Sequence, residues 1–383
     1  MKRIPRENSG RMLAVLAAAA LLGAAGCGDG GNGPADTGTD DAVETEGSGI
    51  KYETCPPCAD PPSCRPGEVA SCCTCLKLPV EDAARTSCTD MSDYCGSGPV
   101  DIACLKPEGY PTPGTPQTID VHGVVDVYAT GPDSDGVTVE IYRENDDGTL
   151  GELLGSDTSE ATCAANEAQL PVPHEVGDEA AFCPGACLEK IPDTEDCRDL
   201  GYYAISGIPT NTALVVRTSG NELTWKNMYS FNIWFFDADV TGGKAFYKAR
   251  CLSVDDWRAI PVAAGDVGGM AAGKSAVAGE IHDCGDVRVF YATVGTNPRA
   301  ETLTYFNGVE DKLYPDLGRS SYGTNLDGLY AAIEMDAGQS VWVTAVASIP
   351  GEGYVSLGWA TAQTFPDSLT SVTLRGTRPN QVP

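Results

Sequence analysis

Histidine is scarce in this chain of 383 residues, which contains only His122, His174 and His282. None of them lies in an HExxH motif or beside a conventional nucleophile, so zinc-peptidase chemistry lacks its usual ligands. The isolated positions of His122 and His282, at similar places on two predicted strands, favour structural roles. The chain also lacks the GxSxG, Ser-x-x-Lys, P-loop and dinucleotide-binding motifs. These absences predict a non-enzymatic protein without a cofactor.

Positive charge is also sparse, because 25 Lys and Arg residues stand against 54 Asp and Glu residues, for a formal net charge of −29. This balance disfavours nucleic acid as a partner. Two Asp-rich segments, 133–136 and 145–148, offer oxygen ligands on tight turns but lack the twelve-residue calcium loop and its terminal Glu. Plain hairpin turns are favoured there, and structural Ca²⁺ is the weaker alternative.

Long apolar runs are absent except at residues 12–25, which follow a segment containing Lys2, Arg3, Arg6 and Arg11. A basic start followed by an apolar run is typical of a secretory signal peptide. The run is shorter than the roughly 20 residues that a spanning helix needs. We therefore expect an exported protein whose remaining chain has no transmembrane helix.

The apolar run ends in small residues followed at once by Cys27, and this pattern resembles a lipobox. An ordinary signal-peptidase site before a chance cysteine is the alternative. The resemblance implies a lipoprotein signal peptide over 1–26 and a lipid on Cys27, so that the membrane is a partner through this anchor. Because Gly28 rather than Asp follows the cysteine, it also implies an outer-membrane or cell-surface location.

Sixteen cysteines predict a disulfide framework in an oxidising compartment. With Cys27 acylated an odd number remains, so one thiol is free, pairs between chains or is otherwise modified. The spacing Cys55-Pro-Pro-Cys58 is compatible with a redox or zinc site, but a disulfide is favoured, and Cys251 is predicted to pair with Cys284. The disulfide candidates are Cys55, Cys58, Cys64, Cys72, Cys73, Cys75, Cys88, Cys95, Cys104, Cys163, Cys183, Cys187, Cys197, Cys251 and Cys284.

Composition divides the remaining chain into six parts. They are an acidic disordered tether at 27–50, a Cys-rich disulfide-stapled region at 51–114, a first β module at 115–245 with a Cys-containing insertion at 143–198, a helical and Gly-rich connector at 246–275, a second β module at 276–376, and a tail at 377–383.

Short β-branched and aromatic runs separated by Gly, Asn and Asp predict a mostly β protein. The predicted strands include 121–128, 137–142, 213–218, 229–236, 287–294 and 341–347. A short helix is predicted over 252–260, with Ser253 as its N-cap and Pro261 as its stop. The aromatic stripe at 225–236 is predicted to be core or interface, and a carbohydrate-stacking face is the alternative.

A weak internal repeat relates the two β modules. Residues 119–126 match 277–285, and 199–204 with 213–218 match 327–331 with 340–345. The most specific piece contains Thr324, Asp327, Gly328 and Tyr330 and leads into a strand. These residues resemble the carboxypeptidase regulatory-like module, a transthyretin-like (prealbumin-like) β-sandwich. The resemblance implies two tandem antiparallel β-sandwich modules, prealbumin-like or Ig-like, with positive φ at Gly328.

The same resemblance implies a non-enzymatic, lipid-anchored envelope or surface lipoprotein that serves binding, adhesion or scaffolding, with an unidentified protein or carbohydrate partner. The alternative is a non-catalytic accessory subunit of a secreted enzyme, or a polysaccharide-binding protein. A redox or metal-handling protein that acts through the cysteine block is a third hypothesis.

Overall fold

A computed structural model describes residues 49–85, 96, 98–129, 133–161, 189–190, 197–198, 201–307 and 314–382. All of them belong to one compact unit, Glu46–Pro383. The prediction of a mostly β protein is confirmed, with one α-helix in the described part. No helix among these residues combines the length and hydropathy of a membrane span. Cys27 and most of the predicted tether lie outside the described residues.

Twenty-four strands and the helix follow one another along the described chain. In the first half they are β1 (Val69–Ser71), β2 (Thr74–Leu76), β3 (Ala84–Arg85), β4 (Thr118–Val127), β5 (Thr138–Glu144), β6 (Leu150–Thr158), β7 (Glu160–Ala161), β8 (Glu189–Lys190), β9 (Cys197–Arg198), β10 (Gly201–Pro209), β11 (Leu214–Ser219), β12 (Trp225–Lys226), β13 (Met228–Ile233), β14 (Lys244–Phe246), β15 (Ala249–Ser253) and α1 (Val254–Ala263). In the second half they are β16 (Ser275–His282), β17 (Val289–Phe290), β18 (Thr293–Asn297), β19 (Thr302–Tyr305), β20 (Leu329–Met335), β21 (Ser340–Ile349), β22 (Gly353–Gln363), β23 (Leu369–Val372) and β24 (Leu374–Arg375).

Three large sheets form stacked layers. The central sheet runs in the order β19-β20-β16-β23-β13-β11-β5-β6, with β24 also paired to β16. One outer sheet has the order β12-β15-β4-β10-β7 with β14 paired to β4, and the other has the order β1-β2-β18-β21-β22. Alternation along β11 places Val215 in one buried core and its neighbours Leu214 and Val216 in another, so both faces of the central sheet are covered there.

The two halves repeat one pattern of strand pairing. β4 pairs antiparallel with β10 as β16 does with β20, and β5, β11 and β13 pair in the same way as β18, β21 and β22. The returning strands β14 and β15 then lie parallel to β4, as β23 and β24 lie parallel to β16. The pairing is therefore not purely antiparallel, which corrects the prediction on this point. Parallel pairing of β13 with β23 joins the halves in the central sheet.

A tyrosine and a glycine occupy matching positions in the two halves. Tyr203 lies opposite Gly123, and Tyr330 lies opposite Gly279. Each phenol donates a 2.8 Å hydrogen bond to a carbonyl oxygen of the returning segment, that of Tyr247 or of Val372. A Cβ atom on Gly123 or Gly279 would lie 1.7 or 1.9 Å from the same oxygen. Only glycine permits this close approach of the returning segment.

Two further sequence predictions need correction. Helix α1 is capped by Ser253 as predicted, with the Ser253 hydroxyl accepting from the Asp256 amide at 3.0 Å, but it continues past Pro261 to Ala263. Proline lacks one helical donor yet does not forbid a last half-turn. His122 and His282 are not equivalent, because His122 precedes the glycine of its strand by one residue and His282 follows its glycine by three.

Candidate functional site

The predicted turn signature holds the start of β20. The Thr324 hydroxyl donates to the Val289 carbonyl at 2.7 Å and accepts from the Ala292 amide at 2.9 Å. Asp327 accepts from the amide of Leu329, and Gly328 has the predicted positive φ, 64°. Tyr330 is fully buried. Thr324, Asp327, Gly328 and Tyr330 thus act locally to shape the fold.

The carboxyl group of Asp327 has an unusual electrostatic environment. Its Oδ2 atom is buried and has no hydrogen-bond partner within the described residues. Burial raises the pKa of this carboxyl to about 6, against the opposing effect of the Leu329 amide. The side chain therefore titrates near neutral pH.

Four disulfides form among the described residues. Three staple the Cys-rich region internally: Cys55 to Cys72, Cys58 to Cys73 and Cys64 to Cys75. Cys55 and Cys58 have different partners, so they are not joined to each other as a redox CxxC pair. Among the other candidates, Cys88, Cys95, Cys163, Cys183 and Cys187 lie outside the described residues, as does the side chain of Cys197.

The fourth disulfide joins Cys104 to Cys284, with Cα atoms 5.5 Å apart. The predicted pair of Cys251 with Cys284 is therefore wrong. Proximity in sequence suggested that pair, but the segment around Cys104 packs onto the second half of the chain, where Val100, Ile102 and Leu105 enter the core. The Cys284 amide also donates to the Asp101 carbonyl.

An apolar pocket lies beneath α1, on the face of the central sheet opposite the core that contains Val277. Small residues form its floor: Ala276, Ala278 and Gly279 on β16 and Ala331 on β20. Because these side chains are short, they leave unfilled space between the sheet and α1. The pocket has a volume of about 70 Å³. We call it the α1 pocket.

Larger apolar side chains form the walls of the α1 pocket. Leu252, Trp257 and Ile260 come from β15 and α1, and Tyr128, Met270 and Phe306 complete the rim. Trp257 is buried because the N-terminal cap fixes α1 with this side towards the sheet. Arg250 and Ser371 are among the few polar residues of the lining. The lining of the α1 pocket is therefore mostly apolar.

A chain of charged side chains, some of them buried, begins at Arg250 on the wall of the α1 pocket. Arg250 and Arg288 contact Glu280 Oε1 at 2.6 and 3.1 Å, and His282 Nε2 contacts Glu280 Oε2 at 2.8 Å. His282 Nδ1 then lies 2.7 Å from Asp286 Oδ1. Glu280 is only 2% exposed. We call Arg250, Glu280, His282, Asp286 and Arg288 the charge network.

The charge network fixes the protonation of its carboxyl groups. Burial raises the pKa of Glu280, but the charges of Arg250 and Arg288 hold this pKa well below its usual range. Burial also raises the pKa of Asp286, but the hydrogen bond from His282 and the charges of Arg375, His282 and Arg378 together lower it. Both ring nitrogens of His282 thus face ionised carboxylates, which orients the ring. His122 instead bonds to the Tyr202 hydroxyl through Nδ1, and burial lowers the pKa of His122.

The Asp-rich segments form turns in the structure. In the 145–148 turn, Asp147 Oδ1 accepts from the amide of Thr149 at 3.0 Å, and hydrogen bonds to Thr149 lower the pKa of Asp147. The described part of the chain contains no group of three or more His, Cys, Asp or Glu side chains arranged to hold a metal ion.

Sequence reasoning missed the α1 pocket and the charge network. The alternation Glu280-x-His282 and the bulky face of 252–260 were visible signals, but their contact with each other depends on the packing of α1 across the sheet. Comparison with known proteins adds no constraint: no protein-family model matches the chain, and no curated protein matches it.

Proposed function

We propose that this chain is an exported, lipid-anchored lipoprotein whose β body binds a small apolar ligand without catalysing a reaction. In this proposal the lipid is attached to Cys27 and holds the body at the outer membrane or cell surface. The observation that carries the binding function is the α1 pocket, an apolar cavity with a floor of alanine and glycine.

Export is supported by the cysteine chemistry. Eight described cysteines are joined in disulfides, and such bonds persist in oxidising compartments outside the cytoplasm. The basic start, the apolar run and Cys27 supply a matching export and anchoring signal.

We further propose that the two halves are copies of a carboxypeptidase regulatory-like, prealbumin-like module. The repeated strand pairing and the matching contacts of Tyr203 with Gly123 and Tyr330 with Gly279 support a duplication. In this scheme the second copy, together with α1, forms the binding surface.

Filling the α1 pocket tests the binding function. Ala278→Phe places a ring where the floor is now a methyl group, and we expect it to weaken binding of the uncharged probe benzene at least about tenfold, since one bulky group displaces most of so small a ligand. Isothermal titration calorimetry measures the affinity. Ala204→Phe is the matched control. Ala204 on β10 is equivalent to Ala331 on β20, but it is exposed.

The thermal midpoints of both variants show whether each keeps its fold. If folded Ala278→Phe binds the probe as tightly as the wild type, the α1 pocket is not the ligand site. Retained binding in Ala204→Phe together with loss in Ala278→Phe supports it.

A further inference from the structure

A second cluster lies where the segment after β13 meets the segment after β24. The rings of Trp234 and Phe236 are nearly parallel, with centroids 6.0 Å apart. The guanidinium of Arg378 lies over Phe236, with Cζ 5.7 Å from the ring centroid. Arg375 lies close enough for its charge to affect Arg378.

Two side-chain nitrogens near Phe236 lack hydrogen-bond acceptors among the described residues. Arg378 Nε and Trp234 Nε1 are both buried, and neither finds an acceptor among the described residues. No described carboxylate forms an ion pair with Arg378, whereas Nε of Arg375 lies 3.0 Å from Asp286 Oδ1. Asp239, the other nearby acid, already accepts from the Phe236 amide at 2.7 Å. Arg378 is therefore a sheltered cation that the protein leaves without an anionic partner.

Such a group is unfavourable in the protein alone. Removing a charge from water without pairing it costs several kcal/mol, so unpaired sheltered cations are rare unless they serve a ligand. Burial and the charge of Arg375 lower the pKa of Arg378 to about 10, which still leaves it charged at neutral pH. A planar guanidinium matches the geometry of an oxyanion, whose oxygens accept several hydrogen bonds at once.

We propose that Arg378, with Arg375 nearby, binds the oxyanion group of an acidic ligand, either a carboxylate or a phosphate or sulfate group. This oxyanion site is separate from the α1 pocket and does not depend on the lipid anchor. The partly exposed rings of Trp234 and Phe236 form an apolar flank beside the bound anion.

Thermal unfolding with small anions tests the oxyanion site. The probes are inorganic phosphate, sulfate and acetate, each compared with chloride at equal ionic strength. We expect an oxyanion to raise the thermal midpoint of the wild type more than chloride does. For Arg378→Met the same rise should need an oxyanion concentration at least about tenfold higher, because the variant loses a charge-assisted hydrogen bond. Arg258→Met is the matched control, because Arg258 is exposed on α1 and pairs only loosely with Asp255.

A second readout separates binding from a structural role. Without added oxyanion, Arg378→Met should unfold at the same midpoint as the wild type or a higher one, because the variant no longer shelters an unpaired charge. A lower midpoint for Arg378→Met combined with an unchanged oxyanion response would overturn the proposal. So would a wild-type response to chloride equal to that of every oxyanion. A response to acetate identifies a carboxylate ligand, and a response confined to phosphate and sulfate identifies the other class.

Discussion

Glu280 holds the centre of the charge network, and replacing it with glutamine gives the sharpest test of how the two halves are joined. The carboxylate takes contacts from Arg250 on β15, from Arg288 and from His282, at 2.6 to 3.1 Å. Glutamine keeps the shape and one acceptor oxygen but removes the charge. Two arginines and a histidine then share a neutral partner in a place almost closed to water.

The magnitude follows from these contacts. Removing one partner of a buried ion pair costs about 3–5 kcal/mol, and the retained amide oxygen limits the loss for Glu280→Gln to about 3 kcal/mol. Urea denaturation followed by circular dichroism gives the free energy of unfolding. Glu140→Gln is the matched control, because Glu140 forms a single, partly exposed ion pair with Arg217 at 2.7 Å and should lose no more than about 1 kcal/mol.

The pH dependence gives an independent check. Because the folded pKa of Glu280 is depressed, its charge stabilises the protein above the unfolded pKa of about 4.3, and this contribution is lost as the pH falls through the folded value. The difference between wild type and Glu280→Gln should therefore be full at pH 7 and shrink in acid. If Glu280→Gln loses no more stability than Glu140→Gln at pH 7, the charge network does not stabilise the joint.

Two more predictions follow from other contacts. Tyr330→Phe should lower the free energy of unfolding by about 1–3 kcal/mol, because it removes a buried hydroxyl that donates to the Val372 carbonyl. Denaturant titration measures this loss, and a value below about 0.5 kcal/mol would contradict the role of the hydroxyl. Cys27→Ser should abolish incorporation of a labelled fatty acid, because acylation requires the thiol, and equal labelling of wild type and variant would refute the lipid anchor.

Local signals predicted the parts of this fold that local chemistry decides. Ser253 caps α1 because its hydroxyl reaches the amide three residues later, a contact that needs no tertiary information. Gly328 adopts positive φ because the turn requires it, and the residues around 341–347 form β21 because their pattern suits a buried strand. These features are readable from short windows of sequence.

Pairings between distant segments were not readable in this way. Cys104 reaches Cys284 across 180 residues because the 100–105 segment packs into the core of the second half, and cysteine spacing cannot express that packing. The parallel pair of β13 with β23 is equally non-local. Residues 249–253, predicted as connector, form β15 because they return alongside β4.

The repeat shows how the sheet face beneath the α1 pocket differs from the equivalent face of the other half. The strand registers make Asp120, His122 and Ala204 in the first half equivalent to Ala276, Ala278 and Ala331 in the second. In the first half this face carries a charged and a polar side chain, and Ala204 is exposed. In the second half these three positions are all alanine, and α1 covers them with Trp257 and Ile260. This sheet face is apolar and covered, and the short alanine side chains leave beneath α1 the space that we assign to a ligand.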